Sequence, residues 1–359
     1  MKKIYINGRF LTQKITGVQR YALEIVKGID KEINYSKNYE FIILVPKNIK
    51  QTISFNNIRI KKVGHLKGHL WEQIELPFYS RNGLLLSFCG CAPLIKKNQI
   101  VTLHDAAFCA NPKSFAFKFR IWYRIMFYIL GHRVNKILTV SNFSKKELNK
   151  YFSIDLNKID ITYNGIDHIL NVKPNESIFN RFQIEKNNYV LAVSSLNPSK
   201  NFKLILKAAK QMPNVNFIIA GGTNSNVFKS KGLPVTDNVK FIGYVTDEEL
   251  VSLYKYANCF IYPSLYEGFG IPPLEAISFD CPVILSDIDV FREIYSNNVL
   301  YCDKYSVDEL IEKINLLIKD DRIRKHFIIK ARKLMNIYNW EISTKKIFEE
   351  IKNSNFNED

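Results

Sequence analysis

The segment NCFIYPSLYEGFGIPPLEAISFDCPVILSD, Asn258–Asp287, reads as a strand, a turn, a helix and a second strand. CFIYPS and PVILSD are short apolar runs of the length typical of buried strands in parallel sheets. Pro272 and Pro273 fit the first turn of a helix, where a missing N–H group leaves no hydrogen bond unmade. Gly268 and Gly270 allow the backbone to approach a ligand closely. The segment therefore predicts one unit of a parallel sheet, with a binding loop at the carboxyl end of its first strand.

The same alternation of short apolar runs and amphipathic stretches extends along the whole chain. The runs form two series: KKIYING, FIILVP, LLLSF, IVTLHD and ILTVS, then YVLAVSS, NFIIAGG, VKFIGY, NCFIYPS and PVILSD. This alternation predicts an α/β protein with two parallel sheets, each covered by helices on both faces.

The domain boundaries follow from the polar stretch between the two series, which contains Pro174 and shows no clear period. We expect an N-terminal domain over residues 1–167, a linker over 168–187 and a C-terminal domain over 188–338. Residues 339–359 contain the amphipathic stretch WEISTKKIFEEIKN and are expected to form a helix that packs back on the first domain.

The composition indicates a globular protein with an unusual charge. The chain has 359 residues, which suits two domains, and 47% of them are hydrophobic. The net charge of +17 would suit nucleic acid, an anionic membrane face or a phosphorylated substrate. The abundance of Lys, Asn and Ile would equally follow from an AT-rich genome, so charge alone does not identify the partner.

The cysteines and the N-terminus bear on the compartment. The six scattered cysteines include no CxxC pair, so we expect free thiols in a reducing cytoplasm. No apolar run follows the first lysines, and none approaches the roughly 20 residues that span a bilayer. We expect a cytoplasmic protein, peripheral on the inner face of the plasma membrane.

Two glutamates enclose the glycine and proline turn of the opening segment. Glu267 precedes the turn, so it has no helix to stabilise, and a carboxylate there suits a polyol or a developing positive charge. Glu275 is expected in the first helical turn, where it would either stabilise the helix dipole or accept from a ribose diol. Free amides at the helix N-terminus would favour a phosphate.

The stretch YPSLYEGFGIPPLEAISFDCPVILSD, which contains both glutamates, resembles the signature of the retaining family 4 glycosyltransferases. That family has the GT-B fold, so the resemblance implies two Rossmann-like domains facing a central cleft. It places Glu267 near the transferred sugar as a catalytic residue, and Glu275 on the ribose of the donor. It also implies four donor-binding residues in the loop: Gly268, Phe269, Gly270 and Ile271.

Other segments extend the resemblance along nearly the whole chain. ITGVQRYALEI places Gly17 near the donor diphosphate, and SSLNPSKNFKLILKAA places Lys200 on it. VTLHDAAF matches the family's HD pair, which implies that His104 contacts the transferring sugar or the acceptor. Many members carry an arginine just before the lysine, where this chain has Ser195-Leu196-Asn197. Loop amides or Arg20 are therefore expected to carry more of the charge. The remaining histidines are assigned no function: His65, His69, His132, His168 and His326.

The stretch PKSFAFKFRIWYRIMFYILGHR, Pro112–Arg133, interleaves aromatic and basic residues at helical spacing. Apolar residues cover more of the circumference than one buried stripe needs, which favours a helix in an anionic lipid interface. The alternative is an ordinary core-facing helix with a solvated basic edge. The residues expected on the membrane or acceptor face are Lys113, Arg120, Trp122 and Arg124.

The resemblance implies a hexosyltransferase that uses a nucleotide-diphosphate sugar and retains the anomeric configuration. The acceptor would be a lipid-linked saccharide in O-antigen, capsule or exopolysaccharide assembly, and TGVQRY, WEQ and HD resemble mannosyl- and rhamnosyl-type members. Family members need no bound metal, so no metal or other cofactor is expected. The alternatives are a sugar-nucleotide epimerase of the same fold and a basic nucleic-acid-binding protein.

Overall fold

The computed structural model describes residues 1–33, 38–51, 53–193, 197–221 and 236–354. The chain forms two compact units, each with its own parallel sheet. The first unit contains Met1–Gly165 together with Trp340–Asp359, and the second contains Ile166–Asn339. The α/β class predicted from the alternating apolar runs is confirmed.

The first unit has a seven-stranded parallel sheet in the part of the chain that the structure describes, in the order β3-β2-β1-β4-β5-β6-β7. Its strands are β1 (Lys2–Asn7), β2 (Tyr39–Val45), β3 (Arg59–Lys62), β4 (Leu84–Ser87), β5 (Gln99–Thr102), β6 (Lys136–Thr139) and β7 (Ile159–Ile161). Its α-helices are α1 (Gly17–Glu32), α2 (Gly68–Leu70), α3 (Leu76–Tyr79), α4 (Ala107–Ala110), α5 (Phe117–Arg133), α6 (Asn142–Phe152) and the C-terminal α16 (Trp340–Asn353). A π-helical turn, Trp71–Glu75, joins α2 to α3.

The second unit has a six-stranded parallel sheet over its described residues, in the order β10-β9-β8-β11-β12-β13. Its strands are β8 (Val190–Val193), β9 (Phe217–Ala220), β10 (Val239–Gly243), β11 (Cys259–Tyr262), β12 (Val283–Ser286) and β13 (Leu300–Cys302). Its α-helices are α7 (Asp167–Leu170), α8 (Ser177–Phe182), α9 (Phe202–Gln211), α10 (Asp247–Lys255), α11 (Ile271–Ser278), α12 (Asp289–Tyr295), α13 (Val307–Lys319), α14 (Asp321–Ala331) and α15 (Leu334–Ile337).

Both sheets have the strand order of a doubly wound fold, in which the direction of winding reverses between two central strands. The reversal lies between β1 and β4 in the first unit and between β8 and β11 in the second. Ligands of such folds bind at the carboxyl ends of these central strands. The residues that follow them are therefore the ones to examine for a site.

All ten predicted strands are present, and three further strands escaped prediction. β3, β7 and β13 each lie at the edge of a sheet and are only three or four residues long. Their residues are mostly exposed or half-buried, since an edge strand has a neighbour on one side only. Such strands need no continuous apolar run, so the sequence does not mark them as strands.

Residues 168–187, expected as a linker, lie within the second unit. They contain most of α7 and all of α8, and several of their apolar side chains are buried. The buried residues are Ile169, Ile178, Phe179 and Ile184. The polar character of the stretch reflects its solvent-facing residues, while these four fix it to the unit.

The C-terminal helix occurs over the predicted residues Trp340–Asn353 and packs against α1 in the first unit. Ser343 Oγ donates a hydrogen bond to the carbonyl of Tyr163 at 2.5 Å. The ring of Trp340 meets that of Tyr21 edge-on, with centroids 5.9 Å apart. At the closest approach, a β-carbon on Gly28 would lie 2.2 Å from Thr344 Oγ1.

Gly28→Ala should therefore destabilise the protein by about 1–3 kcal/mol, although alanine is the better helix former. Gly28→Ala/Thr344→Ala should recover most of the loss, because the second change removes the atoms that clash. The free energies of unfolding from urea titrations of both single variants and the double variant give the coupling. Additive effects would show that the two helices do not meet at this point.

Candidate active site

The strongest candidate site joins the residues that follow β8 and β11, the two strands at the reversal point of the second sheet. Lys200 ends a 3-10 turn, Pro198–Lys200, and Glu267 lies in the loop after β11. Lys200 Nζ donates to Glu267 Oε1 at 2.6 Å and to the hydroxyl of Tyr262 at 3.1 Å. The backbone N–H of Leu265 donates to the carbonyl of Ser199 at 2.7 Å, which ties the two loops together.

The Lys200–Glu267 pair is an ion pair in a largely buried place. The side chains are 19% and 10% exposed, respectively. Burial alone would lower the pKa of Lys200, but the carboxylate of Glu267 and the hydroxyl of Tyr262 raise that pKa above its usual range. Ser264 Oγ adds a 2.7 Å hydrogen bond to Glu267 Oε1. Lys200 is therefore held charged, and both side chains are held in place.

The loop between the two glutamates has the predicted turn geometry. Gly270 has φ of 91° and immediately precedes α11, and Pro272 and Pro273 occupy the first turn of that helix. A side chain at Gly270 would meet the ring of Phe291 at 2.8 Å. The hydroxyl of Tyr295 donates to the Gly270 carbonyl at 2.5 Å, and this hydrogen bond holds the turn in place.

The four loop residues predicted to bind the donor are all buried: Gly268, Phe269, Gly270 and Ile271. The Phe269 side chain packs edge-on against Tyr338, with ring centroids 5.5 Å apart. The side chains of Phe269 and Ile271 therefore serve the core, and contact with a ligand would fall to backbone amides.

The prediction that Glu275 lies in the first helical turn is wrong. Glu275 is the fifth residue of α11, and that first turn contains no acidic residue. The helix begins directly after Gly270, earlier than the spacing suggested, so the helix-dipole role of Glu275 loses its basis. Instead, Glu275 Oε1 lies 2.9 Å from His168 Nε2, and Oε2 accepts from the hydroxyl of Tyr254 at 3.0 Å.

His104, the other predicted catalytic residue, lies in the first unit just after β5. Its Nε2 donates to the carbonyl of Phe88 at 2.8 Å, and its ring meets Tyr21 edge-on at 5.0 Å. Burial lowers the pKa of His104 to about 4. At neutral pH the imidazole is therefore uncharged, and its Nδ1 is the nitrogen that can accept a hydrogen bond.

Gly17 is the first residue of α1 and is exposed to solvent. A helix of 16 residues starting there presents free amides and a positive dipole end, as the expected diphosphate role requires. Arg20, one turn along, lies 3.7 Å from Glu24 in the same helix. Of the substitute stretch Ser195-Leu196-Asn197, the first two residues lie outside the described part of the chain.

The residues predicted on the membrane or acceptor face differ in their exposure to solvent. Lys113 and Arg124 are exposed, whereas Arg120 and Trp122 are half-buried. The outward face of α5 instead contains Phe117, Ile121, Ile125 and Tyr128. The difference has a geometric reason, since helix residues are about 100° apart and Trp122 points about 140° away from Phe117.

Sequence reasoning missed a polar cluster at the reversal point of the first sheet. Glu72, fully buried in the π-helical turn, accepts from Arg9 Nε at 3.0 Å and from Asn7 Nδ2 at 2.8 Å through Oε1. Its Oε2 lies 3.3 Å from His69 Nδ1. The segment WEQ gave the available signal, but nothing local to it indicates that its carboxylate would meet Arg9.

His69, Glu72 and Cys91 have potential metal-ligand atoms within 4.8 Å of one another. The guanidinium of Arg9 already provides the positive partner of Glu72, which disfavours a cation there. Burial raises the pKa of the Cys91 thiol to about 12, so the thiol is protonated at neutral pH.

Comparison with known proteins finds one matching family model in each half of the chain. Residues 174–334 match the model of glycosyl transferases group 1, and residues 79–169 match that of glycosyltransferase family 4. The chain is therefore a glycosyltransferase, similar to group 1 over residues 174–334 and to family 4 over residues 79–169.

Two curated relatives of this glycosyltransferase are named as O-antigen chain mannosyltransferases. The O-antigen chain mannosyltransferase RfbU of Salmonella typhimurium is 35% identical over 233 residues, 63% of each chain, so the match spans slightly less than two thirds of that relative. The O-antigen chain mannosyltransferase B of Escherichia coli is 27% identical over 92% of this chain and 94% of its own. Among solved structures, Anabaena HepE in complex with UDP and glucose has a TM-score of 0.73 at 18% identity, covering 98% and 100% of the two chains. This likeness confirms the GT-B fold.

The Lys200–Glu267 pair of this glycosyltransferase gives a stability test. Lys200→Met or Glu267→Met alone should cost about 3–5 kcal/mol, because each leaves one charge buried without its partner. Lys200→Met/Glu267→Met should lie within about 1 kcal/mol of the wild type, since no charge remains to be desolvated. Urea unfolding of the four proteins gives the coupling energy, and single variants as stable as the wild type would show that the pair is solvated.

The half-buried His104 gives a pH test. Its folded pKa is below its unfolded value, so its contribution to stability is full above about pH 6.5 and is lost as the pH falls toward 4. Between pH 7 and pH 5 this loss amounts to about 2 kcal/mol. In unfolding titrations at the two pH values, His104→Gln should remove that part of the dependence. His132→Gln, which changes an exposed histidine, should keep it. Equal slopes in all three proteins would contradict the lowered pKa of His104.

Proposed function

We propose that this glycosyltransferase moves a mannosyl-type hexosyl group from a nucleotide-diphosphate sugar to a lipid-linked saccharide in O-antigen assembly. The observation that carries the proposal is the Lys200–Glu267 pair at the reversal point of the second sheet. A cation and a carboxylate held beside a glycine turn match the two charges that such a transfer must manage. The names of the two O-antigen mannosyltransferases support the choice of sugar and pathway.

The charges that develop during the reaction assign one role to Lys200 and another to Glu267. As the glycosidic bond breaks, negative charge grows on the departing diphosphate and positive charge grows on the anomeric carbon. The ammonium of Lys200 would stabilise the diphosphate, aided by amides of the turn before α11. The carboxylate of Glu267 would face the sugar, where it can accept hydroxyl protons and balance the positive centre. The mechanism then requires no metal, because protein groups supply the cation.

Retention follows if the acceptor hydroxyl attacks from the face that the diphosphate leaves. The new bond forms as the old one breaks, and the acceptor proton passes to the departing phosphate oxygen. No covalent intermediate is required, so Glu267 acts by electrostatics and orientation rather than as a nucleophile.

The experiment that tests this function is a donor panel with a defined product. GDP-mannose, UDP-glucose, UDP-galactose and dTDP-rhamnose are each incubated with a lipid-linked oligosaccharide acceptor, and products are identified by mass and proton NMR. We expect turnover with the mannosyl donor and a product whose anomeric coupling matches that of the donor. Inversion would exclude the retaining mechanism, and no transfer from any donor would exclude the proposed function.

The second part of the proposal concerns the membrane. We propose that the outward face of α5 lies on an anionic lipid surface, together with the helical segment 68–79. Three large apolar residues of that segment are exposed at helical spacing: Leu70, Ile74 and Phe78. The two helical segments are neighbours, since the rings of His69 and Trp122 lie 6.3 Å apart.

The charge around these apolar residues has the sign that anionic lipid requires. Exposed basic side chains at or near the two segments are Arg81, Lys97, Lys113, Lys118 and Arg124. None of the helices in the described ranges has the length and apolar character to cross a bilayer. The proposed contact is therefore interfacial, with apolar side chains among the acyl chains and basic ones at the headgroups.

Ile121→Glu/Ile125→Glu should lower partitioning onto vesicles of anionic phospholipid at least about tenfold, because it removes apolar contact and adds like charge. A matched control is Ile329→Glu/Ile337→Glu, which places the same charges at two exposed isoleucines of the second unit. The control should bind vesicles more strongly than the α5 variant in a sedimentation assay. Equal binding by both variants would exclude α5 as the contact.

A further inference from the structure

The buried carboxylate of Glu72 divides its two oxygens between the core and the surface of the first unit. Oε1 accepts from Arg9 Nε at 3.0 Å and from Asn7 Nδ2 at 2.8 Å, and both donor residues are buried. Oε2 lies 3.3 Å from His69 Nδ1, and the His69 side chain is 42% exposed. Since a carboxylate can only accept, Nδ1 of His69 donates in this contact. The hydrogen bonds that start at Arg9 therefore end at a histidine that solvent reaches.

The π-helical turn that contains Glu72 is fixed by the residues on either side of it. Trp71 Nε1 donates to the Val63 carbonyl at 3.0 Å. Gln73 Nε2 donates to the Ala92 carbonyl at 2.9 Å. Single π-helical turns occur frequently at functional sites. The buried carboxylate is therefore held still beneath the histidine.

The His69 ring presents its second nitrogen to solvent beside two aromatic rings. In the neutral imidazole with the proton on Nδ1, Nε2 has a lone pair, and no group in the described part of the chain donates to it. The rings of Trp122 and Tyr123 meet the imidazole edge-on, with centroids 6.3 and 6.4 Å away. Trp122 Nε1 is buried without a hydrogen-bond partner over the described ranges, which is costly unless a ligand supplies one.

These groups suit a neutral polyol better than an anion. Arg9, the cation of the cluster, is already paired with Glu72, so its charge is not available to a phosphate. A sugar hydroxyl can donate to Nε2 of His69, and its oxygen can accept from an N–H group. Aromatic rings around a few polar groups are the usual lining of a site that binds a small molecule.

The position of the cluster indicates which sugar would reach it. Asn7 Nδ2 lies 3.4 Å from Ser87 Oγ, so the cluster is at the carboxyl ends of β1 and β4, where doubly wound sheets bind ligands. His69 is followed by Leu70, an exposed apolar residue of the face proposed to contact lipid. The charges of the donor have their partners in the second unit. The substrate that fits this place is therefore the saccharide of a lipid-linked acceptor.

We propose that His69 binds a hydroxyl of the acceptor saccharide through Nε2, and that Glu72 is the positioning residue that fixes the tautomer and direction of its ring. The inference rests on the proposed function and deepens it, since it assigns acceptor binding to two residues without a role until now. His69 takes no proton during transfer, because that proton passes to the departing phosphate oxygen.

The test separates acceptor binding from donor binding. Initial rates are measured with the donor that the wild type uses and with the lipid-linked oligosaccharide of the donor panel, in detergent micelles so that vesicle binding plays no part. His69→Leu should lower kcat/KM for the acceptor about ten- to hundredfold. The calorimetric Kd of the donor nucleotide should stay within about twofold. His65→Leu, which changes an exposed histidine of the same segment, should leave both quantities unchanged.

Glu72→Gln tests the positioning role through the tautomer. Asn7 Oδ1 accepts from the backbone N–H of Arg9 at 3.2 Å, so Asn7 Nδ2 and Arg9 Nε remain donors toward position 72. The new amide must turn its oxygen to these donors and its NH₂ group to His69, whose Nδ1 then accepts. Nε2 becomes a donor, so kcat/KM for the acceptor should fall about as far as in His69→Leu. Glu72→Gln added to His69→Leu should cost little more.

The outcomes separate the inference from the function beneath it. Unchanged acceptor kinetics in His69→Leu, or an equal loss of donor binding, would overturn the inference, while transfer by the wild type would still support the transferase. Additive losses in His69→Leu/Glu72→Gln would assign Glu72 a purely structural role. If Glu72→Gln fails to fold in urea titrations, the His69 variant decides alone. A wild type that transfers no sugar would refute the proposed function, and the inference would fall with it.

Discussion

The buried pair of Lys200 and Glu267 is the constraint around which the second unit is arranged. Two charges taken out of water cost several kcal/mol each, and their attraction offsets this only with accurate geometry and further hydrogen bonds. The fold supplies both. Asn201 Nδ2 donates to the carbonyls of Pro263 and Lys304, which fixes the turn after β8 to its neighbours. The Tyr295 hydroxyl fixes the other loop at Gly270. We propose that this local order serves chemistry, since the pair itself is predicted to add little to stability.

Each unit has a polar cluster at the point where its sheet reverses direction. In the second unit this is the Lys200–Glu267 pair, and in the first it is Glu72 with Asn7 and Arg9. Asn7 Nδ2 also lies 3.4 Å from Ser87 Oγ, so the cluster bridges the ends of β1 and β4. Parallel strands bring the residues after them to one edge of the sheet, which is why both clusters contain residues from distant parts of the chain.

The sequence predicted those features whose cause is local. The apolar runs identified ten strands, nine of which have a neighbouring strand on both sides. The glycine and proline pattern placed the turn before α11. Thr246 and Glu249 have the spacing of a capping box, which is a local pattern, and the side chain of each accepts from the backbone N–H of the other. Glu267 and Lys200 were both predicted, but as separate ligands of a donor rather than as partners.

The features that sequence reasoning missed depend on contacts between distant segments. The partners His168 and Glu275 are 107 residues apart, and Arg9 and Glu72 are 63 apart. No local sequence pattern around His168 or Arg9 indicates such a partner. Three of the four edge strands and the outward face of α5 escaped for a related reason, because exposure depends on what packs against an element and not on its own period.

The measurement that tests the account most directly is transfer by the protein in which both charges are removed. Lys200→Met/Glu267→Met is predicted to fold, so its activity isolates chemistry from stability. Initial rates with the donor that the wild type uses, at saturating acceptor, should fall by at least about a thousandfold, since both the diphosphate and the sugar lose their charged partners. A double variant that folds and transfers sugar within about tenfold of the wild-type rate would contradict the claim that this pair forms the active site.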